Sequence, residues 1–365
     1  MSEWQTFCLK DLGKIVGGAT PSTNNPKNYG NKIAWITPKD LSTLQGRYIK
    51  KGSRSISRLG FKSCSCVLLP KHAILFSSRA PIGYVAIAKK RLCTNQGFKS
   101  IIPNKKIYFE FLYYLLKYHK DSISNIGGRT TFKEVSGTTL GLFKVKIPPT
   151  YYEQQKIART LSILDQKIEN NHKINELLHT LAYKIYEYYF KYKPKNAKLE
   201  QIIIENPKSS IMVKNAQKTQ DKYPFFTSGD NILSYPKAII DGRNCFLNTG
   251  GNAGIKFYVG KASYSTDTWC ICANEFSDYL YLLLSNIKTH INQSFFQGTS
   301  LKHLQKNLLK KYPIYMPSAH EIKKFNQIIM PLLTLISINT RTSKKLEQIR
   351  DFLLPLLLKQ QVKPQ

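Results

Sequence analysis

The sequence predicts an α+β protein made by tandem duplication, each copy a globular part followed by a long helix. Three observations predict it. The stretch KVKIPPTYYEQQKI (residues 144–157) ends a short alternating strand in a Pro-Pro turn and then starts a polar helix, and PIYMPSAHEIKKF (residues 313–325) makes the same join again. Matched positions run in order through both halves at a slowly drifting offset, as a duplication leaves them. Each join leads into apolar residues spaced alternately four and three apart, the seam of a heptad repeat.

The matches begin where residues 33–37 (IAWIT) meet residues 223–227 (YPFFT), with Asp40 on Asp230, at an offset of 190. Residues 79–85 then meet 250–256 and residues 93–98 meet 264–269 at 171, which puts Gly83 on Gly254 and Phe98 on Trp269. Gly128 meets Gly298 at 170, Phe132 meets Leu301 and Pro148 meets Pro317 at 169, and Glu153 meets Glu321 at 168. The change from 190 to 171 gives the first copy about 19 extra residues between Asp40 and Leu68. Within each copy, short alternating apolar runs (KIAWIT, SCVLLP, YVAIA, KSIIP; then NCFLNTG, KFYVG, TWCICA) are broken by Gly, Pro and Asn. Each set precedes one helical stretch, YFEFLYYLLKYH or DYLYLLLSNI, and this mixture is α+β in character.

The first seam runs through Ile157, Leu161, Leu164, Ile168, Asn171, Asn175, Leu178, Ala182, Ile185 and Tyr189. The second repeats that frame at offset 168 through Phe325, Ile329, Leu332, Ile336, Asn339, Ser343, Leu346, Arg350, Leu353 and Leu357. Polar seam positions cost stability but fix register. A plain amphipathic helix lying on its own domain explains one such row less awkwardly than two of about 35 residues, or roughly 50 Å each. Pro331 and Pro355 should kink or break the second helix. The expected boundaries are residues 1–150 and 198–318 for the globular parts, and 151–192 and 319–358 for the helices.

The 365 residues suffice for about two domains. Hydrophobic content of 42% with 21% charged residues is that of a folded chain, not a disordered one. Against 22 acidic residues stand 55 Lys and Arg, a formal charge of +33, and such an excess points to a polyanion partner. No signal peptide is read at the start, and DFLLPLLL is too short for a membrane span. Seven cysteines, an odd number, fit reduced cytosolic thiols, so a cytoplasmic location is expected. The pairs Cys64/Cys66 and Cys270/Cys272 have a metal-like spacing, but i and i+2 share a face in a strand, no Cys-x-x-Cys or matching His pair supports zinc, and small buried residues explain them, so no metal site is expected.

The first copy's extra region contains QGRYIKKGSRSISRLGFK, in which Arg47, Lys50, Lys51, Arg54, Arg58 and Lys62 occur without an acid. It reads as a phosphate-contacting arm or as a solvated loop. In GGRTTFK (residues 127–133) the glycines allow close backbone approach while Arg129, Thr130 and Lys133 supply donors for phosphate or base edges. Its counterpart QGTSLKH (residues 297–303) keeps that chemistry in Thr299, Ser300 and Lys302. A tight turn before a strand is the alternative for both. Further candidate contacts are Lys39, Arg79, Gln96, Asn252 and Asp267. No phosphate-cradling Gly-x-x-x-x-Gly-Lys loop, zinc-binding His-Glu-x-x-His, nucleophile elbow or Asn-Pro-Pro-aromatic methyltransferase signature occurs.

Three segments then carry a resemblance. LGKIVGGATPSTNNPKNYGNKIAWITPKDLS (residues 12–42) resembles the opening of a target-recognition domain in the specificity subunit of type I restriction–modification enzymes. Residues 74–104 and 147–168 resemble the next parts of that family's pattern in the same order, and the second copy follows through the repeat. The chain departs from the pattern where Ile322 and Lys323 stand in place of Gln154 and Gln155.

The resemblance implies two target-recognition domains of α/β type, each reading half of a bipartite site on double-stranded DNA. Their helices pair antiparallel, set the gap and dock two methylation subunits, with restriction subunits joining for cleavage. No cofactor is expected in this chain; S-adenosylmethionine, ATP and Mg²⁺ belong to the partners. Aligned positions differ (Arg79/Gly250, Gln96/Asp267), so the two half-sequences are expected to differ. The competing readings are a free-standing DNA-binding regulator, a DNA methyltransferase with an unrecognised active site, and a coiled-coil scaffold without salt-dependent DNA affinity.

Overall fold

The structure of the protein, a computed structural model, describes residues 3–127, 133–216 and 222–364. It divides into two compact units, residues 1–169 with 349–365, and residues 170–348, so each unit takes part of both long helices.

In the first unit the alternating runs form five strands: β1 (Gly13–Gly17), β2 (Tyr48–Ile49), β3 (Ile74–Phe76), β4 (Val85–Ala88) and β5 (Lys99–Pro103). Their order in the sheet is β1-β5-β3-β4-β2. Neighbours are antiparallel except β2, which lies parallel to β4. Strand alternation sends Ile74, Phe76, Ile87 and Ile101 to one core, and Leu75, Ala86, Ala88 and Phe98 to another. Helix α1 (Phe109–Ile126) covers the first face with Phe111, Leu112, Leu115 and Leu116. A smaller sheet pairs Tyr29–Ile36 with Arg54–Ile56 and, in parallel, with Cys93–Thr94.

The second unit repeats the plan with β6 (Ile204–Glu205), β7 (Arg243–Asn248), β8 (Ile255–Val259) and β9 (Thr268–Cys272) in the order β6-β9-β7-β8. Helix α3 (Ser277–Asn286) packs Tyr279, Leu280, Leu283 and Leu284 into one core with Leu247 and Ile271. Its small sheet again holds a parallel pair, Tyr223–Phe226 beside Ser263–Tyr264. The two main sheets therefore correspond strand for strand, with β2 left over. That strand comes from the extra residues of the first copy. The segment expected as a loop is in fact ordered as β2, the strand Arg54–Ile56 and a helical turn Arg58–Lys62 capped by Ser57.

The long helices are α2 (Tyr151–Phe190) and α4 (Ala319–Leu358), 40 residues each rather than about 35. In the second unit Asn171 donates to Ser343 (3.1 Å), Asn339 donates to Asn175 (2.9 Å), and Tyr189 meets Phe325 edge-on. Rising numbers on one helix meet falling numbers on the other, so they pair antiparallel. In the first unit Ile157 and Leu161 share a core with Leu354, Leu357 and Leu358. No seam position on either helix is exposed. Of the expected kink or break at Pro331 and Pro355, the break does not occur: α4 runs on through both prolines. The buried residues Ile329, on the seam, and Leu333, beside it, flank Pro331, and their packing offsets the one backbone hydrogen bond that proline removes. No helix among the described residues is long and apolar enough to cross a membrane.

The repeated join is a capping box. Thr150 exchanges hydrogen bonds with Glu153 before α2, and Ser318 does so with Glu321 before α4. Thr150 and Ser318 also match at offset 168, so one device starts both helices.

Candidate nucleic-acid interface

In the first unit four loops converge. Asn95 donates its N–H to the carbonyl of Ile36, Ser78 to Gly97, and Val135 to Ser78. These bonds gather the segments after β3, after the small parallel pair and before residue 136 at one place. Gly83 belongs there because its φ of +100° suits glycine alone. Arg79 reaches Glu134 (3.5 Å), and so does Lys99 (3.4 Å). Glu134, which sequence reasoning passed over, therefore fixes the head of Arg79 while leaving it over a third exposed. Gln96 is exposed, its amide oxygen accepting from the Thr20 hydroxyl. Lys133 is exposed as well, while Arg129 and Thr130 lie outside the described residues.

The turn Pro38–Ser42 carries Lys39 outward, and the insertion is tied to it. Asp40 accepts from the backbone N–H of Thr37 (2.8 Å) and of Ser53 (2.7 Å). Burial pushes its carboxyl up, but the Ser53 and Thr37 bonds outweigh that and hold it below the usual range. Lys50 and Lys51 enter Ser53 from the sequence side and, like Lys39, are exposed, as are Arg54, Arg58 and Lys62. The Arg54 guanidinium lies 4.2 Å over the Tyr29 ring. Arg47 is the exception among the expected phosphate contacts. It is 3% exposed and bonded to Glu169 (3.1 Å) and Glu110 (3.0 Å), so it is a buried structural cation and not a surface contact. Three acidic side chains from two helices make that burial possible, and none is near it in sequence.

The second unit gathers the corresponding four loops. Ser265 donates its N–H to Phe226, Gly251 to Lys302, and Leu304 to Thr249. The carbonyl of Asp267 accepts from the hydroxyls of Ser228 and Thr249, and its carboxylate from Ser265. Asp267 thus organises the loops as much as it faces outward. Lys256 donates to the Thr227 carbonyl (2.7 Å) and to Asn248 (3.2 Å), and burial pushes its ammonium below the usual lysine range. Thr299, Ser300 and Lys302 stand exposed on the tip of a hairpin joining Phe296–Gln297 to His303–Leu304. Gly298 turns it at φ +140°, where a Cβ would lie 2.4 Å from the Leu301 carbonyl oxygen. Asn252 is exposed. Both loop ends are rich in hydroxyl, amide and cationic donors on a rigid sheet, the arrangement that phosphate and base-edge contacts require.

The helices present a second feature. Besides the buried seam, α2 exposes Leu177 (71%) and Tyr188 (86%), with exposed Ile174 three residues before Leu177 and Leu181 four after it. On α4, Ile328, Leu335 and Ile338 are likewise exposed in the second unit. These are outward apolar rows at helical spacing. Among the described residues no group of His, Cys, Asp or Glu could hold a metal, and Cys66 and Cys270 are buried free thiols.

Comparison with known proteins finds the duplication as well. The family described as type I restriction modification DNA specificity domain matches residues 1–180 and 195–348. The chain belongs to that family. It is 33% identical to the MjaIX specificity subunit of Methanocaldococcus jannaschii across 98% of its own length and 93% of that protein. It is 30% identical to the HindI specificity subunit of Haemophilus influenzae across 46% of its length and 37% of that protein. The crystal structure of an S subunit from M. genitalium superposes with a TM-score of 0.64 at 17% identity, covering 97% of this chain and 96% of that one, which establishes the shared fold.

Proposed function

We propose that this chain is the DNA-specificity subunit of a type I restriction–modification complex, and that each unit reads one half of an asymmetric bipartite site. One observation carries this reading. The same four loops converge in both units on the same sheet plan, yet they carry different side chains at matched positions, Arg79 against Gly250 and Gln96 against Asp267. One scaffold used twice with different loop tips is suited to reading two different sequences.

Exposed Lys39, Lys50, Lys51, Arg54, Arg58 and Lys62 serve phosphate contact in the first unit. Arg79, Gln96, Arg129, Thr130 and Lys133 serve the first half-site, and Asn252, Asp267, Thr299, Ser300 and Lys302 the second. The antiparallel helices set the gap. A 40-residue helix is about 60 Å long, a little under two turns of B-DNA. Their outward apolar rows suit docking of two methylation subunits, with restriction subunits completing a cleaving complex. The chain itself is non-catalytic and works in the cytoplasm, and S-adenosylmethionine, ATP and Mg²⁺ act in the partners.

The test is single-molecule methylation mapping of DNA from cells that express the chain with its adjacent modification subunit. One split, asymmetric motif, methylated only when both proteins are present, is the expected result. Methylation by the modification subunit alone sinks the proposal.

A further inference from the structure

In each unit an arginine is held where the globular part meets its long helix. Arg47 bonds Glu110, the second residue of α1, at 3.0 Å, and reaches Glu169 on α2 with its side chain (3.1 Å) and its backbone N–H (2.9 Å). Arg243 forks onto Asp278, the second residue of α3, and reaches α4 through the Thr334 hydroxyl (2.9 Å) and the Met330 carbonyl (3.2 Å). The two arginines are not matched in the repeat. Arg47 comes from the extra residues of the first copy, whereas the position aligned with Arg243 is His72, whose ring instead stacks 4.0 Å from Phe109. Two unrelated stretches of chain deliver the same guanidinium to the same junction.

The helix side of the junction does match. Glu169 and Ser337 fall on each other at the helices' own offset of 168. Ser337 accepts the N–H of Val259 on β8 (3.0 Å), and Arg341 donates to the Val259 carbonyl (3.2 Å). In the first unit β2 occupies the corresponding edge of β4, and Arg47, directly before β2, passes the connection on to Glu169. A planar guanidinium with several fixed donors, bonded to two elements at once, resists both sliding and rotation between them.

We propose that Arg47 and Arg243 are positioning residues that lock each DNA-reading head at one setting on its helix, and so hold the recognised gap to a single length. This rests on the specificity reading above. A slip of one base pair moves a half-site by about 3.4 Å and roughly a tenth of a turn, which a rigid junction refuses and a loosened one tolerates.

The experiment maps methylated motifs in cells making the full chain and its modification subunit, comparing wild type with R47K, R47M/E110Q/E169Q and R243M/D278N. The multiple variants neutralise Glu110, Glu169 and Asp278 together with their arginine, and Asp165, the third carboxylate near Arg47, keeps its ion pair with Arg350 (2.7 Å), which protects folding. The expected result keeps both half-sequences and raises methylation at gaps one base pair longer or shorter by about tenfold. A folded, methylating variant with a gap as strict as wild type overturns the proposal. So does failure of every variant to fold, R47K included, because the clamp is then only structural. If wild type methylates no bipartite motif, the specificity reading itself fails, a result distinct from both.

Discussion

Glu321 shows how much one side chain contributes at a helix start. It accepts from the Ser318 backbone N–H (2.9 Å), then from the Tyr315 hydroxyl (2.8 Å), and these bonds hold its carboxyl down at about 2. The folded value lies below the ordinary one of 4.5, so its contribution is complete above pH 4.5 and is lost as the pH falls toward 2. Glu321→Gln should cost about 1 kcal/mol near neutral pH, lowering the melting midpoint of its unit by about 2–4 °C. The difference from wild type should shrink in melts at pH 3. An unchanged difference there would assign the effect to lost geometry rather than charge. Arg47 teaches the opposite lesson at the same scale. In sequence it is one cation in a basic row, and only folding brings Glu110 and Glu169, from 63 and 122 residues away, around it.

At the scale of elements, the seam was readable because a period of 3.5 residues is a local property of the chain. Its positions are all buried or half-buried in the structure, polar Asn171, Asn175 and Asn339 included. Those asparagines bond across the seam, so each satisfies its own desolvation while marking the register. Ile329, fully buried among Phe325 and Leu333, should cost about 2–5 kcal/mol on truncation to alanine. Leu335, on the outward row of the same helix, should stay within about 0.5 kcal/mol. Thermal unfolding of the two variants checks the contrast, and equal losses would mean that the outward row is packed within the chain. The uninterrupted course of α4 was not readable, because whether proline breaks a helix depends on the packing that flanks it.

At the scale of the whole molecule, the duplication predicts modularity. A chain in which the loop-bearing sheets of the two units are exchanged, with α2 and α4 kept in place, should recognise the same half-sequences in exchanged order. Methylation mapping reads this directly, and an unchanged motif would show that the bases are read elsewhere. The units are equal in plan but not in detail. The first spends its extra residues on β2 and the arginine before it, while the second meets its helix through Ser337 and Arg341 directly.

Period, repeat and composition are properties of neighbours along the chain, and they were enough to give two α+β copies and two heptad helices and to point to a polyanion partner. The converging loops, Glu134 beneath Arg79 and the burial of Arg47 depend on residues distant in sequence, so they arise only when the sheets close. A charged residue carries no local mark of whether it will meet water or a carboxylate. That choice is made by the desolvation cost of burying it and by the partners the fold happens to supply.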